Sequence, residues 1–188
     1  MLISLSIFII SICLISLILT WCLRSYALTH SIIDIPNERS SHVIPTPRGG
    51  GLAIVLSSFW GLIVLKLASF LPAFLFWALL GAGTLVALIG WMDDRCDIPA
   101  KLRLSIHFIA SVWALFWLGG LPPLPIFGNP LDLDWPGHIL AVFYLVWMLN
   151  LYNFMDGING IAGIEAISIC LGGMILSIMV STELALWI

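Results

Sequence analysis

The chain has 188 residues, of which 61% are hydrophobic and only 9% charged, with a net charge of −3. A soluble domain carries roughly 25% charged residues, so the composition excludes a water-soluble globular protein and points to a chain whose solvent is the lipid bilayer. Net charge says little about partners in such a chain. The placement of its few charges says more, and no nucleic-acid partner is expected.

Met1 to Leu23 is apolar and uncharged, and a crossing takes roughly 20 residues. It lacks the basic start and small-residue cleavage site of a secretory signal, so it reads as an uncleaved anchor. Residues 24–48 form a first polar loop. A second span runs from Gly50 to Leu67, with Lys66 at its far end, and a third from Pro72 to Trp91. The charged loop Asp93 to Arg103 follows, then a fourth span, Leu104 to Leu118, extendable at both ends. Gly119 to Gly137 holds five prolines and two acids but no base. His138 to Leu151 is a fifth span, Tyr152 to Gly160 a compact polar turn, and Ile161 to Val180 a sixth span. The expected fold is an all-α integral membrane bundle of about six transmembrane helices, forming one domain over residues 1–188. Cys13, Cys22, Cys96 and Cys170 lie in or beside the apolar runs without metal-ligand spacing and read as packed or idle thiols.

Orientation follows from the bases. Arg24, Arg39, Arg48, Arg95, Lys101 and Arg103 all fall in the first and third loops, and Lys66 alone lies on the other side. The positive-inside rule places those two loops in the cytoplasm. With six spans, the turn at Asn153 to Asn159 reaches the same face, and both termini lie outside. Three segments rich in polar and glycine residues are thus expected on one membrane face.

The first segment is Asp34-Ile-Pro-Asn-Glu-Arg39-Ser-Ser-His42, followed by Pro45-Thr-Pro-Arg48-Gly49-Gly50-Gly51. A glycine-rich helix start offers backbone N–H groups and a positive dipole end, which suit an anion. Arg48 adds a fork of donors for phosphate or carboxylate. A flexible connector with an interfacial arginine is the plainer alternative. The second is Asp93-Asp94. Neighbours on a helix point about 100° apart, so the two carboxylates suit different roles. Oxygen donors fit a hard cation such as magnesium, shared with substrate phosphates, and the second acid could act as a base. Lys101, one or two turns on, could reach a phosphate. Here the plainer alternative is a capping pair satisfied by Arg95 and Lys101. The third is Asn150, Asn153 and Asp156, spaced to share a helix face, running into Gly157, Asn159 and Gly160. Such groups at the end of a span either bind a polar ligand or bond helix to helix. Glu165, inside the sixth span, is either functional or a protonated, internally bonded acid.

These segments, in this order, resemble the polyprenyl-phosphate N-acetylhexosamine-1-phosphate transferase family (glycosyltransferase family 4). The carrying residues are Asp34-x-Pro-Asn-x-Arg39-x-x-His42 with Pro47-Arg48-Gly49-Gly50, then Asp93-Asp94 with Lys101, then Asn153-x-x-Asp156-Gly157-x-Asn159-Gly160. The Pro-Arg-Gly-Gly and Met-Asp-Gly-Ile-Asn-Gly forms are similar to the O-antigen-initiating branch. The resemblance implies transfer of a sugar-1-phosphate from a UDP-N-acetylated sugar to undecaprenyl phosphate, with UMP leaving, in a bacterial inner membrane and on its cytoplasmic side. It implies Mg2+, with Mn2+ as a substitute. Asp93, Asp94 and Lys101 would be catalytic, and Asp93, Asp94 and Asp156 would bind the metal. Arg39, His42, Arg48, Gly49, Gly50, Asn153, Asp156 and Asn159 would bind substrate.

The sequence departs from that family in two ways. Family members are longer and carry a further catalytic aspartate in a Gly-Asp-x-Gly-Ser motif, and this chain has no Gly-Asp dipeptide. This leaves an N-terminal fragment of a longer fold, a truncated gene product or one piece of a split enzyme, with a missing C-terminal half or a second copy as its partner. The alternative to a transferase is a catalytically incomplete chain that only binds nucleotide sugar or a partner. Asn159 also stands where many relatives have aspartate. A small transporter would spread its charges through the midplane, whereas here they cluster at one surface.

Overall fold

The computed structural model describes residues 2–30, 33–34, 45–47, 49–96, 98–127, 129–155 and 160–180, with side chains at all of these except 2–5, 33–34 and 177–180. Six helices carry the described chain: α1 (Leu2–Thr29), α2 (Gly51–Leu67), α3 (Ala73–Asp93), α4 (Ala100–Leu118), α5 (Asp134–Met155) and α6 (Ile161–Val180). Two short antiparallel pairs sit between them, β1 (Ile33–Asp34) with β2 (Thr46–Pro47) and β3 (Leu124–Ile126) with β4 (Asn129–Leu131). Helices α1, α3, α4 and α5 are long and apolar enough to cross a membrane, and α2 and α6 are shorter apolar helices over their described residues. The fold is an all-α, multi-pass membrane protein. Its chain forms two compact units, Met1–Ile35 with Ile44–Trp147, and Pro36–Val43 with Met148–Ile188.

Helix ends differ from the sequence reading for one physical reason. Hydrophobicity marks only the part of a helix inside hydrocarbon, while the backbone ladder can continue past it into polar residues. Helix α1 runs past Leu23 through exposed Arg24 to Thr29, where the His30 ring stacks on Tyr26 at 4.0 Å. Its 28 residues would span about 42 Å against a hydrocarbon core of about 30 Å, so its last turns extend beyond the apolar layer. Helix α4 starts at Ala100, behind Pro99. Lys101 and Arg103 therefore lie on its first turns, not in a loop, and the charged connection shrinks to residues 94–99. Helix α5 is longer at both ends than residues 138–151, so Asn153 is helical.

The packing is that of a protein dissolved in lipid. Most buried positions are small (Ala27, Ala53, Ser57, Ala78, Ala110, Ser111 and Ala141), with Ile89, His107 and Val146 as the larger ones among the described residues. Large apolar side chains face outward. Without a hydrophobic drive between helices, close backbone approach over small residues provides the contact. A Cβ at Gly61 would lie 3.0 Å from Ile12 Cδ1, where α1 meets α2, and one at Gly83 would lie 3.3 Å from Phe59, where α2 meets α3. The tightest approach is between α3 and α4. The Trp113 indole lies over Gly81, in the space a Cβ would fill, and its Nε1–H donates to the Trp77 carbonyl at 2.8 Å.

This contact predicts that Gly81→Ala destabilises the protein by about 1–3 kcal/mol, the usual cost of overpacking. Gly90→Ala, with open space around its Cβ, should be neutral or raise stability. Thermal unfolding in detergent, with Gly81→Ala/Trp113→Leu as the relieving pair, checks this.

Candidate functional site at the α3–α4 corner

Helix α3 ends on Asp93, and a tight turn follows. Asp94 N–H donates to the Gly90 carbonyl at 3.0 Å, and Cys96 N–H to the Met92 carbonyl at 2.8 Å. Pro99, in an extended conformation, then opens α4, a position where its missing N–H costs nothing. The turn brings Arg103 of α4 back to α3, and Arg103 Nη1 donates to Asp93 Oδ2 at 2.7 Å. Both side chains are 29% exposed. Asp94, one residue on, is exposed, and so is Lys101. The two adjacent acids thus have different surroundings.

Asp93 is held by Arg103, a base that the capping-pair alternative did not name. Arg95 instead lies over the Trp91 ring, 4.3 Å from its centroid. Arg103 was counted in the sequence only as a cytoplasmic base, because nothing local announces a partner ten residues back. The corner also runs against local electrostatics. Acids sit at the negative end of α3 and bases at the positive end of α4, each placement unfavourable by itself by about 0.3–1 kcal/mol. Cross-helix pairing offsets that cost.

One turn below Arg103 lies His107, 4% exposed, whose Nδ1 has no hydrogen-bond partner among the described residues. Ser111 follows one turn further, also buried, with its hydroxyl donating to the His107 carbonyl at 2.8 Å. Arg103, His107 and Ser111 form a polar stripe at four-residue spacing within an apolar helix. That spacing was the signal by which the sequence could have marked them.

Of the glycines before α2, Gly49 holds φ +92°, a conformation that favours glycine, while Gly50 is the helix N-cap. A Cβ on either would meet nothing within 4 Å among the described residues. Arg39, His42 and Arg48 lie outside the described residues. In the second unit, Asn153 is exposed on the last turn of α5 and Gly160 precedes α6 with φ +81°. Asp156 and Asn159 lie outside the described residues. Glu165 Oε2 is buried without a hydrogen-bond partner among the described residues. Tyr152 of α5 is within electrostatic reach of it. Among the described residues, no three His, Cys, Asp or Glu side chains are grouped to hold a metal ion. An adjacent acid pair still fits magnesium, which takes one or two carboxylates and completes its shell with substrate phosphates and water.

A multi-pass helical membrane protein with paired carboxylates and bases gathered at helix ends is the class that these features define. Residues 76–188 match the family model for glycosyl transferase family 4. The chain is 33% identical over 185 residues to the undecaprenyl-phosphate alpha-N-acetylglucosaminyl 1-phosphate transferase of Salmonella typhi, covering 95% of this chain and 48% of the relative. The Escherichia coli K12 protein of that name is 31% identical over the same shares. The decaprenyl-phosphate N-acetylglucosaminephosphotransferase of Mycobacterium leprae is 33% identical over 162 residues, covering 74% of this chain and 38% of the relative. No solved structure matches. The chain belongs to glycosyl transferase family 4, and it spans about half the length of the curated relatives it matches.

If the corner is held as described, Asp93→Asn and Arg103→Gln each cost about 1 kcal/mol, midway between exposed and buried ion pairs. The double variant should lose less than their sum. A double-mutant cycle on thermal unfolding measures the difference.

Proposed function

We propose that this chain supplies the first part of a phosphosugar transferase that moves a sugar-1-phosphate from a UDP-N-acetylated sugar onto undecaprenyl phosphate. A lipid phosphate oxygen forms a bond to the β-phosphorus of the nucleotide sugar, the bond from that phosphorus to the bridging oxygen breaks, and UMP leaves. The observation that carries the reading is the acidic corner. Asp93, fixed by Arg103, stands beside exposed Asp94 at the end of a span, in a chain whose relatives are named for this transfer.

The chemistry asks little beyond positioning and neutralising charge. Magnesium would be held by Asp93 and Asp94, with Asp156, and when bound it supplies positive charge against the phosphates. Asp94 is the acid that would orient the lipid phosphate or take its proton. Lys101 would contact a phosphate from the first turn of α4. The helix start at Gly49 and Gly50, with Arg39, His42 and Arg48, would take the nucleotide phosphates, and Asn153, Asp156 and Asn159 the sugar or uridine. The bases Arg24, Arg39, Arg48, Arg95, Lys101 and Arg103, in the first and third connections and at the helix ends flanking them, support a cytoplasmic orientation in a bacterial inner membrane. The form of the third segment supports a role in starting a glycan such as O-antigen.

In the complete enzyme, Asp94→Asn should cut transfer of labelled sugar phosphate from UDP-N-acetylglucosamine to undecaprenyl phosphate by about 100-fold or more, in line with the loss of one transition-state contact. Chelation by EDTA should abolish transfer, and added magnesium should restore it. Unchanged transfer in the Asp94 variant would remove the acidic pair from the mechanism. The reading also requires residues 94–99 and 156–160 to face the cytoplasm, and topology reporter fusions at both sites check that.

A further inference from the structure

The connection from α4 to α5 exposes more apolar surface than a water-facing hairpin sustains. Leu121 to Leu131 contains no charged residue. In the β3–β4 ladder Leu124 opposes Leu131, Ile126 opposes Asn129 and Pro125 opposes Pro130. Opposed residues share a face of the ladder, so Leu124, Ile126 and Leu131 lie on one face with Asn129, three apolar residues to one amide, and the three apolar ones are exposed. At the tip Phe127 is 100% exposed and holds φ +48°, a region that bulky residues rarely enter. Isolated two-stranded hairpins are at best marginally stable in water. This one has no charge, and Asn129 is the one polar side chain beside its tip.

Its position says what covers it. The hairpin joins the ends of two apolar helices of membrane-spanning length, at the end of the first unit opposite Arg103 on α4. Exposed apolar side chains ring that same end: Leu67 closing α2, Phe70 in the following turn, Phe74 opening α3, Phe116 near the end of α4 and Trp135 opening α5. Trp135 is the residue type that marks a bilayer–water interface, and the exposed leucine and phenylalanines beside it suit lipid better than water. The acids flank only the hairpin's base, where Asp134 N–H donates to Asp132 Oδ1 at 2.9 Å.

We propose that the β3–β4 hairpin is a lipid anchor, with Phe127 and the Leu124–Ile126–Leu131 face inserted among the headgroups and upper acyl chains of the leaflet opposite the acidic corner. The anchor stands independently of the transferase reading. It fixes the depth of α4 and α5 from the side away from the chemistry.

The test places a nitroxide at Phe127→Cys, with Cys13, Cys22, Cys96 and Cys170 changed to serine, in vesicles of phosphatidylethanolamine and phosphatidylglycerol. Power-saturation spectroscopy then compares collisions with oxygen, which concentrates in lipid, and with a water-soluble nickel chelate. The oxygen-to-nickel ratio should be several-fold higher at 127 than at an Asp132→Cys label. A label at 127 that the nickel chelate reaches freely, or one that neither reagent reaches because protein covers it, overturns the proposal. Should the cysteine-free background not fold, Phe127→Trp in the natural chain gives a second measurement. The emission it adds over the parent should be quenched by vesicle lipids with brominated tails and not by aqueous iodide, and the reverse result also overturns the anchor.

Discussion

Trp113 of α4 occupies the volume that any side chain at residue 81 would need, and it bonds there to the backbone of α3. In lipid, exposed apolar surface costs nothing, so helices gain little by hiding leucines from solvent and must find cohesion in close contact and in satisfied polar groups. The glycine sets how near α3 and α4 come. The indole bond sets their register. With those two quantities given, and only residues 94–99 to connect them, the end of α3 and the start of α4 are held where Asp93 and Arg103 meet.

That meeting concentrates both signs of charge at one corner of the first unit. Each helix end carries the charge its own dipole disfavours, and such local conflicts gather at functional sites. Arg103 and Asp93 neutralise each other there, while Asp94 and Lys101 stay exposed beside them. The Arg103 fork restrains Asp93 and leaves the neighbouring acid exposed, a division that two equivalent aspartates in a flexible loop would not have. The stripe below it, His107 and Ser111, carries polarity one and two turns deeper into α4 without reaching solvent.

Much of the architecture was legible because the bilayer imposes a simple rule on composition. Runs of apolar residues long enough to cross stand out, and the sixth ran from Ile161 to Val180 as expected. Boundaries were less legible at Thr29, Ala100 and Met155, since helices continue into water wherever their backbone bonds remain unbroken. The hairpin at Leu124–Leu131 was hidden inside a proline-rich connection. Proline suppresses the usual strand signal, and each of the two prolines here faces the other across the ladder.

The sequence by itself determined the solvent of this protein, the number of its apolar helices and the identity of the polar patches at their ends, because all of these follow from local composition and from the order of motifs. Only the tertiary structure decided which base answers Asp93, that Gly81 is the seat of an indole, and that a phenylalanine stands alone at a hairpin tip. Those depend on distances between segments that meet only after folding, and residue order encodes such distances indirectly, through the packing of one helix on the next.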